Sequence, residues 1–448
     1  MADDLAGLTE RLLAAAKAAG AEAADAIALT GESLAIEVRN GALEHAERSE
    51  GIDVGLRVLI GKRQACVSSS DTRDVTLAAM AERAVAMARE APEDPWCGLA
   101  APEELATAWD VAALELEDPA SLPSPAELEA AARAAEAAAI AVPGVSLMEA
   151  AGASWTRARV HLAATNGFSG GYRRTSHGLQ AVAITGEGTA MERDYAYESR
   201  IFHADLPSPE AVGRLAGERT AARAGASKPP TGAFPVIYDE RVASGLVGHL
   251  VSAINGTSVA RGASWLKDAM GEAVLPAGLD LVEDPSRPRV GSSRPFDGEG
   301  LPVARRALVE GGVLKSWTLD LATGRQLGLA STGNAVRGPS SPPSPAAGNL
   351  ALTQGAIGLD ALVAEAGTGL LVTSMLGASI NPTTGDYSRG ASGFWFENGE
   401  IVRPVNECTI AGNLREMLMT IRPANDARPW LGRVVPSLLV EGLVIAGD

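Results

Sequence analysis

The chain has 448 residues, 46% of them hydrophobic and 21% charged, enough for two or three domains with separate cores. Its formal net charge of −17 argues against nucleic acid and against anionic membrane surfaces as partners, because nothing here neutralises a run of phosphates. The three cysteines, Cys66, Cys97 and Cys408, are far apart without CxxC spacing, which fits a reducing compartment. The N-terminus lacks the basic and apolar regions of a signal peptide, and no apolar run approaches the ~20 residues of a membrane span. A cytoplasmic location is expected.

In chain order, residues 4–20 read as an amphipathic helix ended by Gly20. Strands are expected at Ala24–Thr30 and Ser33–Asn40, where Leu34, Ile36 and Val38 alternate with polar or small residues. Asn40-Gly41 signals a turn, and Gly51–Ile60 and Arg63–Ser69 read as a further strand pair before a helix at Thr72–Glu90. Pro92, Pro95, Pro102 and Pro119 mark 91–124 as a linker or excursion. Ser124-Pro125 with Glu127 opens a helix running to Ile140. Strands follow at Val145–Ser154, Arg157–Thr165, Gly178–Gly186 and Met191–His203, with a polar, Gly-rich segment at Phe168–Ser176 and a helix at Pro209–Arg223. The mixture in 125–225 repeats that of 1–90, a hint of duplication. After the Gly/Pro/Ser-rich 225–235, short Gly-rich strands dominate, so 231–448 is expected to be one mainly β domain. Within it, 338–348 (GPSSPPSPAAG) reads as an exposed, mobile loop. The expected fold class is α+β: helix-plus-antiparallel-sheet regions followed by a mainly β C-terminal domain.

The organising stretch is 234–256. A short strand, Phe234–Tyr238, leads through Asp239, a capping residue, into a helix whose apolar positions are Val242, Leu246, Val247, Leu250, Val251 and Ile254. Asn255-Gly256 is expected to stop it with positive φ. His249, one of five histidines, lies within this helix. A second stretch, 293–335, carries Asp297 and Glu299 in a Gly-rich turn before a hairpin; paired carboxylates at a site edge and solvated turn acids are both open readings. A third, 381–418, holds Gly385-Asp386-Tyr387-Ser388-Arg389-Gly390 and a hairpin turn at Glu397–Glu400. Its backbone either accepts an extended peptide by strand addition or forms a hairpin with structural glycines.

These stretches, in order over nearly the whole chain, resemble the TldD/TldE (PmbA) family, known for a two-subunit metalloprotease. In the catalytic TldD subunit the helix carries an HExxxH motif. The matching positions here are Ser244, Gly245, Leu246, Val247, Gly248 and His249, so the first His and the Glu are replaced. A TldD-like Cys ligand near the C-terminus also has no counterpart, since the last 40 residues contain no Cys. A hydrolytic zinc needs about three protein ligands, an open position for water and a general base. Ser244 is a poor ligand and Gly245 none; residues five apart on a helix also point about 140° apart. His249 is therefore expected to be a packing or hydrogen-bonding residue, with contact to a partner or peptide and metal binding as the other open readings.

The resemblance thus implies a TldE-type subunit that is itself non-catalytic. It implies no cofactor in this chain alone, zinc in a TldD-like catalytic partner, and an unfolded peptide as substrate. Asp386, Tyr387 and Arg389 are the candidate peptide-binding residues. In isolation such a chain is open to homodimer formation. Two other readings compete. One is a stand-alone regulatory or protein-binding module, since family members have been described as modulators of DNA gyrase. The other is a metal-independent hydrolase, although there is no Cys–His arrangement near Cys66, Cys97 or Cys408.

Overall fold

Strand alternation builds the first sheet. The computed structural model describes residues 4–120 and 122–448 and has α+β architecture. Its N-terminal part reads α1 (Leu5–Ala18), β1 (Ala23–Arg39), β2 (Ala42–Ile60), β3 (Arg63–Ser69) and α2 (Asp74–Glu90). The same order then recurs as α3 (Pro125–Ile140), β4 (Leu147–Ala164), β5 (Ser169–Thr185), β6 (Glu192–Arg200) and α4 (Pro209–Ala221). All six strands form one antiparallel sheet in the order β3-β2-β1-β4-β5-β6. Two α-β-β-β-α units are thus joined through β1 and β4, paired from Asp25–Ala164 to Val38–Ala151. The duplication hinted at by the sequence has a structural form.

Period two decides which face each strand buries. On β1, Ala24, Ala26 and Ala28 pack under α1 and α2, while Leu34, Ile36 and Val38 pack under α3. Every one is an even-numbered position, so both helix pairs cover the same face. Odd positions face the other way: Ile27 joins Leu162, Phe168 and Phe296 in a separate cluster. There Trp109, from segment 91–124, lies 5.0 Å from the Phe296 ring. The same segment is held at Trp96, Gly98 and Leu99, whose carbonyls accept from the Arg325 guanidinium.

Several strands are longer than the sequence suggests. The expected break at Gly31-Glu32 is absent, because Gly31 pairs with Ala158 and Glu32 accepts from Arg157 at 2.8 Å. Likewise Val145–Ser154 and Arg157–Thr165 form one strand, and most of the polar 168–176 segment is strand β5. Charged and small residues interrupt the alternation, but cross-strand partners satisfy them.

β7 (Gly232–Tyr238) begins the C-terminal part and is followed by α5 (Glu240–Ala253) and α6 (Gly256–Ala260). β7 lies between strands Gly369–Ile380 and Leu438–Ala446. Strands Asp386–Glu397 and Glu400–Asn413 continue the sheet, and the latter pairs with Leu438–Ala446, closing a barrel. The 397–400 hairpin turns through Asn398 at φ 52° and Gly399 at φ 81°. α5 packs on the barrel residues Val236, Tyr238, Leu370 and Val372; the opposite-facing Ile237, Leu371 and Leu439 meet Leu362 and Val363.

Two local expectations are corrected. Asn255-Gly256 does not end α5 through positive φ; Asn255 has φ −69° and its side chain caps α6 by accepting from the Thr257 amide. Gly256 is needed for closeness, since a Cβ there would lie 2.6 Å from Thr323 Oγ1. The 338–348 segment is not a loose loop: Ser344-Pro345 pair with Ala335-Val336, and Pro345 accepts from Asn255 Nδ2 at 2.7 Å. No helix among the described residues is long and apolar enough to cross a membrane.

Candidate functional site

α5 starts where Asp239, at φ −53° and ψ 149°, accepts from the Arg241 amide. Arg241 also donates to Asp194, which accepts from Arg223 at 2.6 Å, so a buried ion cluster ties the helix start to β6 and α4. Ala243, Leu246, Val247, Leu250 and Val251 face the core. Ser244, Gly245 and His249 fall on the flanks and are half-buried. A Cβ on Gly245 would meet nothing within 4 Å.

His249 meets the barrel through Tyr387. Their rings are 5.8 Å apart at 72°, an edge-on contact. The Tyr387 hydroxyl lies 3.5 Å from that of Tyr238, and both residues are buried. The Nε2 atom of His249 is buried and has no hydrogen-bond partner. Burial, then the positive charge of Arg389, pushes the imidazole below its usual value, so it is neutral at pH 7. Arg389 is anchored by Nε donating to the Gly377 carbonyl at 2.7 Å.

The structure therefore brings His249, Tyr387 and Arg389 together. Asp386 is apart from them. It is exposed and closes its own turn, accepting from Thr384 Oγ1 at 2.6 Å and Asn413 Nδ2 at 3.3 Å. It shares with Tyr387 a shallow open groove that also includes Ile380, Asn381 and Pro382.

This donor set does not fit a hydrolytic zinc. His249 offers one nitrogen, and among the described residues no three His, Cys, Asp or Glu side chains are grouped to hold a metal ion. Cys408 is buried, its thiol directed at the Ala391 carbonyl at 3.1 Å, and burial pushes it to about 11. It is a core residue in this setting.

The acids of the second stretch are not solvated. Asp297 is 1% exposed and accepts from the amides of Glu299, Leu301 and Ala335. Burial lifts its carboxyl to about 6. Glu299 accepts from the Leu321 amide, and burial, then the Asp297 charge, lifts it to about 8. Nearby, Arg57 Nε donates to Asp25 at 2.5 Å, and Arg337 Nη2 lies 2.8 Å from the other Asp25 oxygen. Sequence reasoning missed Asp25 and Arg57, whose one signal was a charge inside an apolar strand. It also missed the Asp118–His177 contact of 3.2 Å, beside a cavity of about 770 Å³ between α3, the start of α4 and the sheet.

The chain matches the profiles of the PmbA/TldA metallopeptidase domain 1 over residues 24–88, central domain over 117–224 and C-terminal domain over 231–447. It is 36% identical to the metalloprotease PmbA of Escherichia coli O157:H7, covering 97% of this chain and 94% of that one. The chain belongs to the PmbA/TldD metallopeptidase family. Among solved structures, a putative modulator of DNA gyrase from Bacteroides thetaiotaomicron superposes with a TM-score of 0.89 at 26% identity, covering 100% and 99% of the two chains. TldE from Thermococcus kodakarensis shares the fold, with a TM-score of 0.85 at 20% identity over 98% and 100% of the chains.

Proposed function

We propose that this chain is the TldE-type, non-catalytic subunit of a two-chain metallopeptidase. It pairs with a TldD-like catalytic subunit and helps present unfolded peptides to it. The observation that carries this reading is the donor set on α5: Ser244, Gly245 and His249 together supply one nitrogen. The zinc, in this reading, belongs to the partner, where it would supply the Lewis acid and the activated water.

This chain contributes binding and placement. The neutral His249 lines the site with its ring, and its unpartnered Nε2 is buried and does not reach a peptide backbone. Tyr387 fixes the ring by its edge contact. Arg389 adds a positive charge beside them, and the groove edged by Asp386 gives an extended peptide a place to lie. A second reading, a stand-alone regulatory module, draws on the gyrase-modulator description of a solved relative. With a net charge of −17, its target would be a basic protein and not DNA.

The test is peptidase activity on an unfolded peptide with metal analysis, for this chain alone and mixed with a TldD-like chain. Activity and one zinc per pair in the mixture only are the expected result. Chelator-sensitive activity in the isolated chain would overturn it. His249→Ala should leave the activity of the pair within a few-fold of the parent; a loss of about 100-fold, the scale of an essential catalytic group, would contradict the non-catalytic assignment.

A further inference from the structure

At the β4–β5 hairpin two polar side chains share the sheet face that α1 covers. His161 of β4 stands opposite Ala28 of β1, and Ser169 of β5 stands opposite Ala163, which pairs with Ala26. Ala26 and Ala28 both pack under α1. Gly171 faces His161 directly, and a Cβ there would lie 3.0 Å from the His161 Cδ2. This glycine makes the room in which the imidazole leans over β5. Ser169 is exposed and His161 half-buried.

The hydrogen bonds fix which ring nitrogen is the base. His161 Nε2 is 3.4 Å from Ser169 Oγ, and Nδ1 is 2.9 Å from Thr9 Oγ1 on α1. Thr9 is fully buried, and its one hydroxyl proton goes to the Ala6 carbonyl at 2.9 Å. Toward His161 it can therefore only accept. Nδ1 carries the ring proton, and the Nε2 lone pair is turned to the Ser169 hydroxyl. Burial holds the imidazole below its usual value against the pull of Asp4 and Glu10, so the ring is neutral at pH 7. A nucleophile, a base within reach and a third group that orients the base are the parts of an activated serine, and such contacts are often loose before substrate binds.

We propose that Ser169 is a nucleophile with His161 as its general base and Thr9 as the positioning residue, and that it accepts the acyl group of activated esters, meaning aryl esters and thioesters. None of the three belongs to α5 or to the barrel. Gly167-Phe168-Ser169-Gly170-Gly171 has G-x-S-x-G spacing, but Ser169 opens a strand after a hairpin turn and does not sit between a strand and a helix. The contacts, not the motif, make the nucleophile. Oγ bonds to the acyl carbon as its proton passes to Nε2. The bond from that carbon to the phenol oxygen or thiol sulfur breaks, and the leaving atom takes the proton from Nε2. Water then bonds to the acyl carbon, its proton passes through Nε2 to Oγ, and the carboxylic acid departs.

Two features confine the site to activated acyl groups. Thr9 is neutral, so it orients the imidazolium without stabilising its charge as a carboxylate does. One backbone donor is at hand for the oxyanion. The Thr175 amide points away from β4 to the Leu116 carbonyl, and by alternation along β5 the Ser169 amide points the same way, without an acceptor among the described residues. A peptide bond, with its poor leaving group, stays out of reach.

The experiment treats the isolated full chain with p-nitrophenyl acetate in the presence of a chelator, follows nitrophenolate release and maps the acetyl group by peptide mass spectrometry. A burst approaching one nitrophenolate per chain, with acetyl on Ser169, is expected. Ser169→Ala should abolish the burst, and His161→Ala should slow it about 100-fold. Thr9→Val should slow it and Thr9→Ser should restore it, a rescue that packing alone would not give, since Val is closer to Thr in shape. Acetyl confined to lysines or other hydroxyls, a burst unchanged in His161→Ala, or a Thr9→Val chain as fast as the parent would each overturn the proposal. The chelator strips zinc and the substrate is an ester, so failure here is distinguishable from failure of the proposed function.

Discussion

A buried carboxylic acid changes how stability depends on pH, and Glu299 is placed to show it. Its carboxyl, lifted to about 8, and that of Asp297, lifted to about 6, hold protons that the unfolded chain releases near pH 4 to 5. The native state then binds more protons than the unfolded state, so stability falls as pH rises from that range toward 8. Glu299→Gln removes one of these titrations while keeping an oxygen to accept from the Leu321 amide. The variant is expected to melt well above the parent at pH 8 and close to it at pH 4. Parallel melting curves across that range would show that Glu299 is ionised in the fold. These acids were visible in the sequence as residues, but their burial was not. A DGEG turn looks solvated until Phe168, Phe296 and the odd face of β1 are known to close over it. His249 was legible as a candidate from its helix, whereas its contact with Tyr387 joins residues 138 positions apart in the sequence, and no local pattern carries that.

Among the elements, α5 and α6 hold glycines with opposite requirements. At Gly245 a methyl group meets open space, so Gly245→Ala should gain about 0.8–1 kcal/mol from helix propensity alone. At Gly256 the methyl meets Thr323, Leu319 and the Thr318 carbonyl, so Gly256→Ala should cost about 1–3 kcal/mol by overpacking. Denaturant titration of both variants checks the pair; equal shifts would contradict the packing at α6. Element boundaries were readable where capping chemistry is local. Ser124-Pro125-Ala126-Glu127 forms a capping box that starts α3 at Pro125, as the sequence indicates. β3 likewise matches, flanked by Gly61-Lys62 and a polar run. β1 and β4 were split because Gly31 and the charges around it end an apolar alternation. Their continuity comes from each other, through fourteen paired positions that a single stretch of sequence cannot display.

At the scale of the whole molecule, the N-terminal sheet and the C-terminal part touch where side chains are missing. Gly55 on β2 faces Pro339 so closely that a Cβ would lie 2.2 Å from the Pro339 carbonyl oxygen. Gly55→Ala is expected to cost about 1–3 kcal/mol and to loosen the 335–345 hairpin, read as faster proteolysis near Ser340-Ser341. An unchanged cleavage rate would mean that the hairpin is held mainly by Asn255 and the Arg337–Asp25 contact. The closed barrel carries a consequence for how the chain is made. β7 pairs with the strand that ends the chain, Tyr238 against Leu438, about 200 residues later. At a synthesis rate of about 5–20 residues per second, the ribosome delivers the closing strand roughly 10–40 s after β7 emerges. Through that interval the nascent chain carries an unsealed β edge, which makes this part of the protein a natural client for chaperones that bind during translation.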